Sequence, residues 1–171
     1  SVLTNSLGQR TTYLSAVIGG QRRILEARGP GCARCGLTDV RYRYAANGRL
    51  SAVTTLDTEG RPLRSIQHHL DDHGRIVETL EADLSGARPQ LLDRVRHVYA
   101  TDTPGNAGAN DRTDPAAPTL TSPVAIVRAS VVGGREHRIE LRYNTAGQLE
   151  EVHESGFSPV AADGAHTPTP I

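Results

Sequence analysis

A chain of 171 residues, 37% of them hydrophobic, can bury a core and sets one domain as the expectation. That core is poor in aromatic volume, with one Phe, five Tyr and no Trp. Lys and Arg total 19 against 19 Asp and Glu with no basic block, which argues against non-specific nucleic-acid binding, and no apolar run reaches the length of a membrane span. No signal peptide is visible, and Met is absent even at position 1. The chain is therefore expected to be a processed or excised piece of a longer protein, or to have lost its initiator.

Residues 1–28 read as strand, turn, strand, turn, strand. Asn5 to Thr11 turns the chain into a β-prone run, Thr11 to Ile18. Gly19-Gly20 turns it again into Arg22 to Ala27. Residues 29–36, GPGCARCG, are too rich in Gly and Pro for regular structure. Within them Cys32 and Cys35 form a C-x-x-C. It reads as a redox motif, as half a zinc site, or as a loop pair of two thiols or a small local disulfide. No βαβ context supports the first. His68, His69 and His73 are the only candidates to complete the second, and adjacent strand residues point to opposite faces. The loop pair is the favoured reading, with the three His as polar, exposed hairpin residues and no structural metal.

The stretch from Tyr44 to Ile76 carries the pattern of the chain. One phrase occurs three times: Tyr44-Ala-Ala-Asn-Gly48-Arg49-Leu50, Leu56-Asp57-Thr-Glu-Gly60-Arg61-Pro-Leu63 and Leu70-Asp71-Asp-His-Gly74-Arg75-Ile76. Its glycines lie 12 and 14 residues apart, one strand plus one turn, too long for a helical heptad. A type I turn followed by a residue with positive φ suits Gly at the last loop position, which has no Cβ to clash. Asp57 and Asp71 sit where an Asx hydrogen bond starts such a turn. Between turns, Leu50, Ala52, Thr54 and Leu56 share one parity and Ser51, Val53 and Thr55 the other, so fixed turns must hold the register.

Val77 to Leu84 reads as a strand and Ser85-Gly86 as a turn. Leu91 to Ala100 fits a helical stripe as well as a strand face, and the preceding pattern favours a strand. Residues 101–123, dense in Pro, Gly, Asp and Asn, read as a mobile linker in which limited proteolysis cuts first. Val124 to Val132, a Gly133-Gly134 turn and Glu136 to Tyr143 form a hairpin. In its second strand His137, Ile139, Leu141 and Tyr143 face one way and Arg138, Glu140 and Arg142 the other. Tyr143-Asn144-Thr-Ala-Gly147-Gln148-Leu149 is a fourth loop of the same kind, followed by a strand to Glu154. The tail, 157–171, is expected to fray.

The recurring phrase resembles the YD repeat of the bacterial RHS/YD-repeat family, whose consensus is roughly Tyr-Asp-x-x-Gly-Arg-Leu. The first copy has Ala45 in the Asp position, the second and third have Leu56 and Leu70 in the Tyr position, and the fourth has Asn144 for Asp and Gln148 for Arg. The Asn-x-Leu-Gly-Gln-x-Thr-x-Tyr phrase at 5–13 and the GPGC-x-x-CG phrase also resemble segments of that family. The segment 102–110 echoes the family's core-ending Asp-Pro-x-Gly-x-x-Gly-x-Asn, linked there to self-cleavage. It lacks the Asp-Pro step and the following Tyr residues, so it reads as a linker.

The resemblance implies an all-β fold: successive antiparallel β-hairpins forming a curved sheet, part of a larger β-spiral shell. It implies a hairpin array over 1–100, the loop 101–123, a further hairpin over 124–156 and the tail 157–171. It further implies a non-catalytic shell segment that encloses or presents a C-terminal toxin or effector in interbacterial competition, secreted or held at the cell surface. The expected partners are flanking repeats, the effector domain and, beyond them, secretion machinery or cell-surface glycans. The sequence assigns no catalytic residue and no cofactor: no nucleophile, base and orienter are spaced as a set, and no phosphate-binding loop stands out. Two other readings stay open: a carbohydrate- or cell-surface-binding β module, and a small metal-binding or enzymatic domain using Cys32, Cys35 and a His.

Overall fold

The computed structural model describes residues 1–30, 39–100, 122–130, 132–158 and 169–170. The described part is all-β, and its strands pair antiparallel. Two compact units divide the chain, Ser1–Asp93 and Arg94–Ile171. The first contains β1 (Val2–Thr4), β2 (Arg10–Ile18), β3 (Gln21–Arg28), β4 (Val40–Tyr44), β5 (Leu50–Leu56), β6 (Pro62–Leu70) and β7 (Ile76–Asp83). Each strand pairs with its neighbour in the chain, from β1·β2 to β6·β7. Successive connections therefore lie at alternate ends of the sheet. This is the cheapest topology for a chain of short strands, because each pairing closes only a short loop.

The boundary between the units falls in β8 (Gln90–Val98). In the second unit, β9 (Ala125–Ala129) pairs with β8, β10 (Glu136–Tyr143) with β9, and β11 (Leu149–Ser155) with β10. A two-residue pair, β12 (Phe157–Ser158) with β13 (Thr169–Pro170), completes it. The ambiguous run after Leu91 is a strand, not a helix. Val95 to Val98 pair residue by residue with Arg128 to Ala125, and that ladder outweighs the helical spacing of the leucines.

The hairpin in the second unit differs from expectation in one place. The strand read as Val124 to Val132 ends at Ala129. Ser130 Oγ accepts the Val132 amide at 3.3 Å, and the Ser130 amide donates to Arg135 O at 3.0 Å. That amide bond is the last across the hairpin, and the hydroxyl helps the chain leave the strand for the turn.

The core is thin. In the first unit the well-buried residues are Thr11, Ala27, Val40, Ala52, Leu56 and Ser65; in the second they are Tyr99, Ala125 and Val127. Among the described residues Val40 and Thr11 are the largest side chains that are fully buried. Large apolar side chains stay exposed on the strands, Val17 at 74% and Leu14 at 58%. Fully burying such a side chain is worth about 1.5–3 kcal/mol, so much of the available apolar surface contributes little to stability here. The sheet depends correspondingly more on its turns.

Candidate functional site: interlocked glycine loops and the groove between them

Five connections close with the same two backbone hydrogen bonds. The first loop residue accepts from the glycine three positions on and donates to the carbonyl four positions on. The first residues are Asn5, Ala45, Asp57, Asp71 and Asn144, with glycines Gly8, Gly48, Gly60, Gly74 and Gly147. Those glycines have φ between 74° and 90°, the left-handed region where a Cβ would meet the following carbonyl. A type I turn followed by such a glycine fits the right-handed twist of the flanking strands. Ladder registers shift one pair before the loop in four of the hairpins, at Arg43/Tyr44, Thr55/Leu56, His69/Leu70 and Arg142/Tyr143.

Side chains reinforce four of the five. The first residue's Oδ1 accepts two loop amides: from Leu7 and Gln9 at Asn5, from Glu59 and Arg61 at Asp57, from His73 and Arg75 at Asp71, and from Ala146 and Gln148 at Asn144. Its second polar atom meets the side chain four residues on, and the chemistry matches in each case. Asn5 Nδ2 donates to Gln9 Oε1 and Asn144 Nδ2 to Gln148 Oε1, whereas Arg61 Nε donates to Asp57 Oδ2 and Arg75 Nε to Asp71 Oδ2. Amide thus pairs with amide and carboxylate with guanidinium. The hydrogen bond from the Arg61 side chain holds the Asp57 carboxyl below its ordinary value. At Asp71 partial desolvation pushes the other way, and the bonds from the Arg75 amide and guanidinium outweigh it, so that carboxyl is lowered too.

The exception is Ala45, which has no side-chain acceptor, so Asn47 Oδ1 takes the Arg49 amide instead. Arg49 is then free to reach out of its own loop. Loops at one end of the sheet are two strand spacings apart, about 10 Å, which a long side chain spans. Arg49 Nη1 donates to Gly74 O at 2.7 Å. At the opposite end Arg28 Nη2 donates to Thr58 O at 3.0 Å, and its guanidinium lies against Gly60. The turn at Gly19 needs no side chain: a Cβ there would lie 2.9 Å from backbone atoms of Asn47 and Gly48.

The tyrosines that precede two of the loops act as rivets. Tyr44 OH donates to Ile24 O and Tyr143 OH to Pro123 O, each at 3.0 Å and each across 20 residues of chain. Leu56 fills the equivalent position of the second loop by burial alone, at 3% exposure.

Between the loops 45–49 and 71–75 lies an open groove of about 360 Å³. Leu50, Leu70 and Ile76 supply apolar surface, Tyr44 and His68 stand beside them, and Arg23 and Arg49 bring cationic groups. The Arg23 guanidinium carbon sits 5.7 Å from the Tyr44 ring centroid, in cation–π range. His68, expected to be exposed, is half-buried, hydrogen-bonded through Nδ1 to Thr79 Oγ1 at 3.1 Å, and burial holds its pKa below the ordinary value. His69 faces the other way and meets Glu78 at 3.0 Å; His73 is exposed in its loop.

Among the described residues no three His, Cys, Asp or Glu side chains cluster as metal ligands. Cys32 and Cys35 lie outside the described residues, as do 101–121 of the expected linker and most of the tail. Among the described residues no helix is long and apolar enough to cross a membrane. Every turn residue singled out from the sequence, from Tyr44 to Gly147, takes part in the loops above. Sequence reading missed that Asn5–Gln9 is a loop of the same kind, because Thr4 precedes it in place of an aromatic or aliphatic residue. The Asn-x-x-Gly-Gln spacing shared with 144–148 was the available signal. In comparison with known proteins, no protein-family model matches the chain, and no curated protein matches it.

Proposed function

We propose that this chain is a non-catalytic segment of an RHS/YD-repeat type protein. Its hairpins build part of a curved β-shell that encloses or presents a C-terminal toxin or effector domain in competition between bacteria. On this reading it is exported within a larger protein, and its partners are flanking repeats and the effector. The observation that carries the reading is the recurrence of one loop at 5–9, 45–49, 57–61, 71–75 and 144–148, with its first residue and its fifth matched in chemistry in all but 45–49. Interlocking of loops by Arg28 and Arg49 suits an array in which each hairpin is stabilised by its neighbours. The thin core and the exposed strand leucines and valines fit a piece whose apolar surface is meant for further neighbours. A sugar-binding module is less well supported, because Arg23 already covers one face of the Tyr44 ring.

The test is thermal unfolding with light scattering over a range of concentrations, on this chain and on a longer one carrying the adjoining parts of its parent. The shell-segment reading expects the short chain to melt low and self-associate, and the longer one to gain stability. A monodisperse short chain with a sharp, high, concentration-independent transition would remove it.

A further inference from the structure

We propose that the groove between loops 45–49 and 71–75 is a binding site for a single carboxylate carried on an apolar body the size of one residue. The inference rests on unbalanced charge in a shaped place. Arg23 and Arg49 both line the groove, and no acidic residue does. Among the described residues neither makes an ion pair, whereas Arg28, Arg41, Arg61, Arg64 and Arg75 of the same unit pair with carboxylates. Arg49 is anchored through Nη1 on Gly74 O, which fixes its guanidinium while leaving its other donors to a ligand. Arg23 is held over the Tyr44 ring, and its Nε is buried with no hydrogen-bond partner among the described residues. A guanidinium held in place and lacking a counter-charge is a preformed half of a charge-assisted pair.

The apolar side of the groove sets the rest of the ligand. Leu50, Leu70 and Ile76 offer aliphatic surface with no polar atom, so a bare inorganic anion leaves it wet and a hydrocarbon or aromatic body covers it. A volume of about 360 Å³ is at the low end for ligand sites, enough for one residue-sized group. A free organic acid and the C-terminal residue of a peptide share this chemistry.

Titration of the whole chain by heteronuclear NMR tests the site with five probes: 3-phenylpropionate, its primary amide, inorganic phosphate, and a tetrapeptide ending in Phe, both as free acid and as amide. The free acids should give saturable shifts confined to residues around Tyr44, Leu50 and Leu70, with Kd near about 1 mM. The amides and phosphate should bind at least about tenfold more weakly. Tighter binding of the peptide acid than of phenylpropionate would identify a peptide terminus as the occupant; the reverse would identify a small acid. Leu70→Glu, which puts a carboxylate into the groove, should abolish binding, and Arg23→Gln should weaken it about tenfold. No saturable shift with either acid, or equal affinity for acid and amide, would overturn the proposal, and that wild-type comparison decides even if a variant fails to fold.

Discussion

The loops Asn5–Gln9 and Asp57–Arg61 have the same backbone bonds, the same pair of Oδ1-accepted amides and the same positive-φ glycine, yet they sit in different surroundings. A Cβ on Gly8 would meet nothing within 4 Å, and the neighbouring Leu7 is 80% exposed. A Cβ on Gly60 would meet the Arg28 guanidinium at 3.4 Å, and that guanidinium also bonds to Thr58 O. The loop therefore forms from local chemistry alone, and tertiary coverage is added without altering it. What coverage changes is how much of the sheet feels a loop's loss.

The largest effect among these variants is expected where a glycine lies against the backbone of the neighbouring loop. Gly19→Ala should cost about 2–3 kcal/mol in urea unfolding, from left-handed strain plus a clash with backbone that cannot move aside. Gly8→Ala should cost only the strain, about 1 kcal/mol. Equal losses would show that the approach of Gly19 to the next loop carries no energy.

Arg49→Ala should come next, at about 1 kcal/mol for the lost bond to Gly74 O, and it should speed amide exchange in loop 71–75 more than in its own loop. Unchanged exchange at Gly74 and Arg75 would contradict the interlock.

Acid separates the two kinds of loop. Asp57 and Asp71 have folded-state pKa values below the ordinary 3.8. Their contribution to stability is fully present above that value and is lost as pH falls through the lower folded value, because the unfolded chain takes up the proton first. Melting temperature should thus drop below about pH 4, with a shallower drop in an Asp57→Asn, Asp71→Asn double variant. An identical acid profile for both would mean that these ion pairs contribute nothing. Smallest of all should be Gln9→Ala, which removes one exposed amide contact and leaves both Oδ1 bonds in place. Its effect should stay within about 0.5 kcal/mol.

Much of this was legible in the residues. Gly60, Gly74 and Gly147 marked their loops, because a glycine three places after Asp or Asn between β-prone runs has one low-energy use, and Gly48 marked its loop by the same spacing after Tyr44. The interlock was not legible. Nothing local in Arg28 or Arg49 distinguishes a guanidinium that spans to the next loop from Arg61 or Arg75, which fold back on their own aspartates; the only cue was Ala45, the missing acceptor. The half-burial of His68 was not legible either, since it lines the groove beside loop 45–49 as well as bonding to Thr79 across its own hairpin. The early end of β9 comes at Ser130, whose hydroxyl helps the chain leave the strand, inside a run whose composition favoured a strand.

Five separate segments of the chain adopt one loop. Backbone dihedrals from NMR chemical shifts and couplings at Gly8, Gly48, Gly60, Gly74 and Gly147 test it most directly. All five should show positive φ near 75–90°, with their amides slowed in hydrogen exchange by the bond to the carbonyl three residues back. Negative, helical φ at two or more of them, or free exchange at those amides, would contradict it.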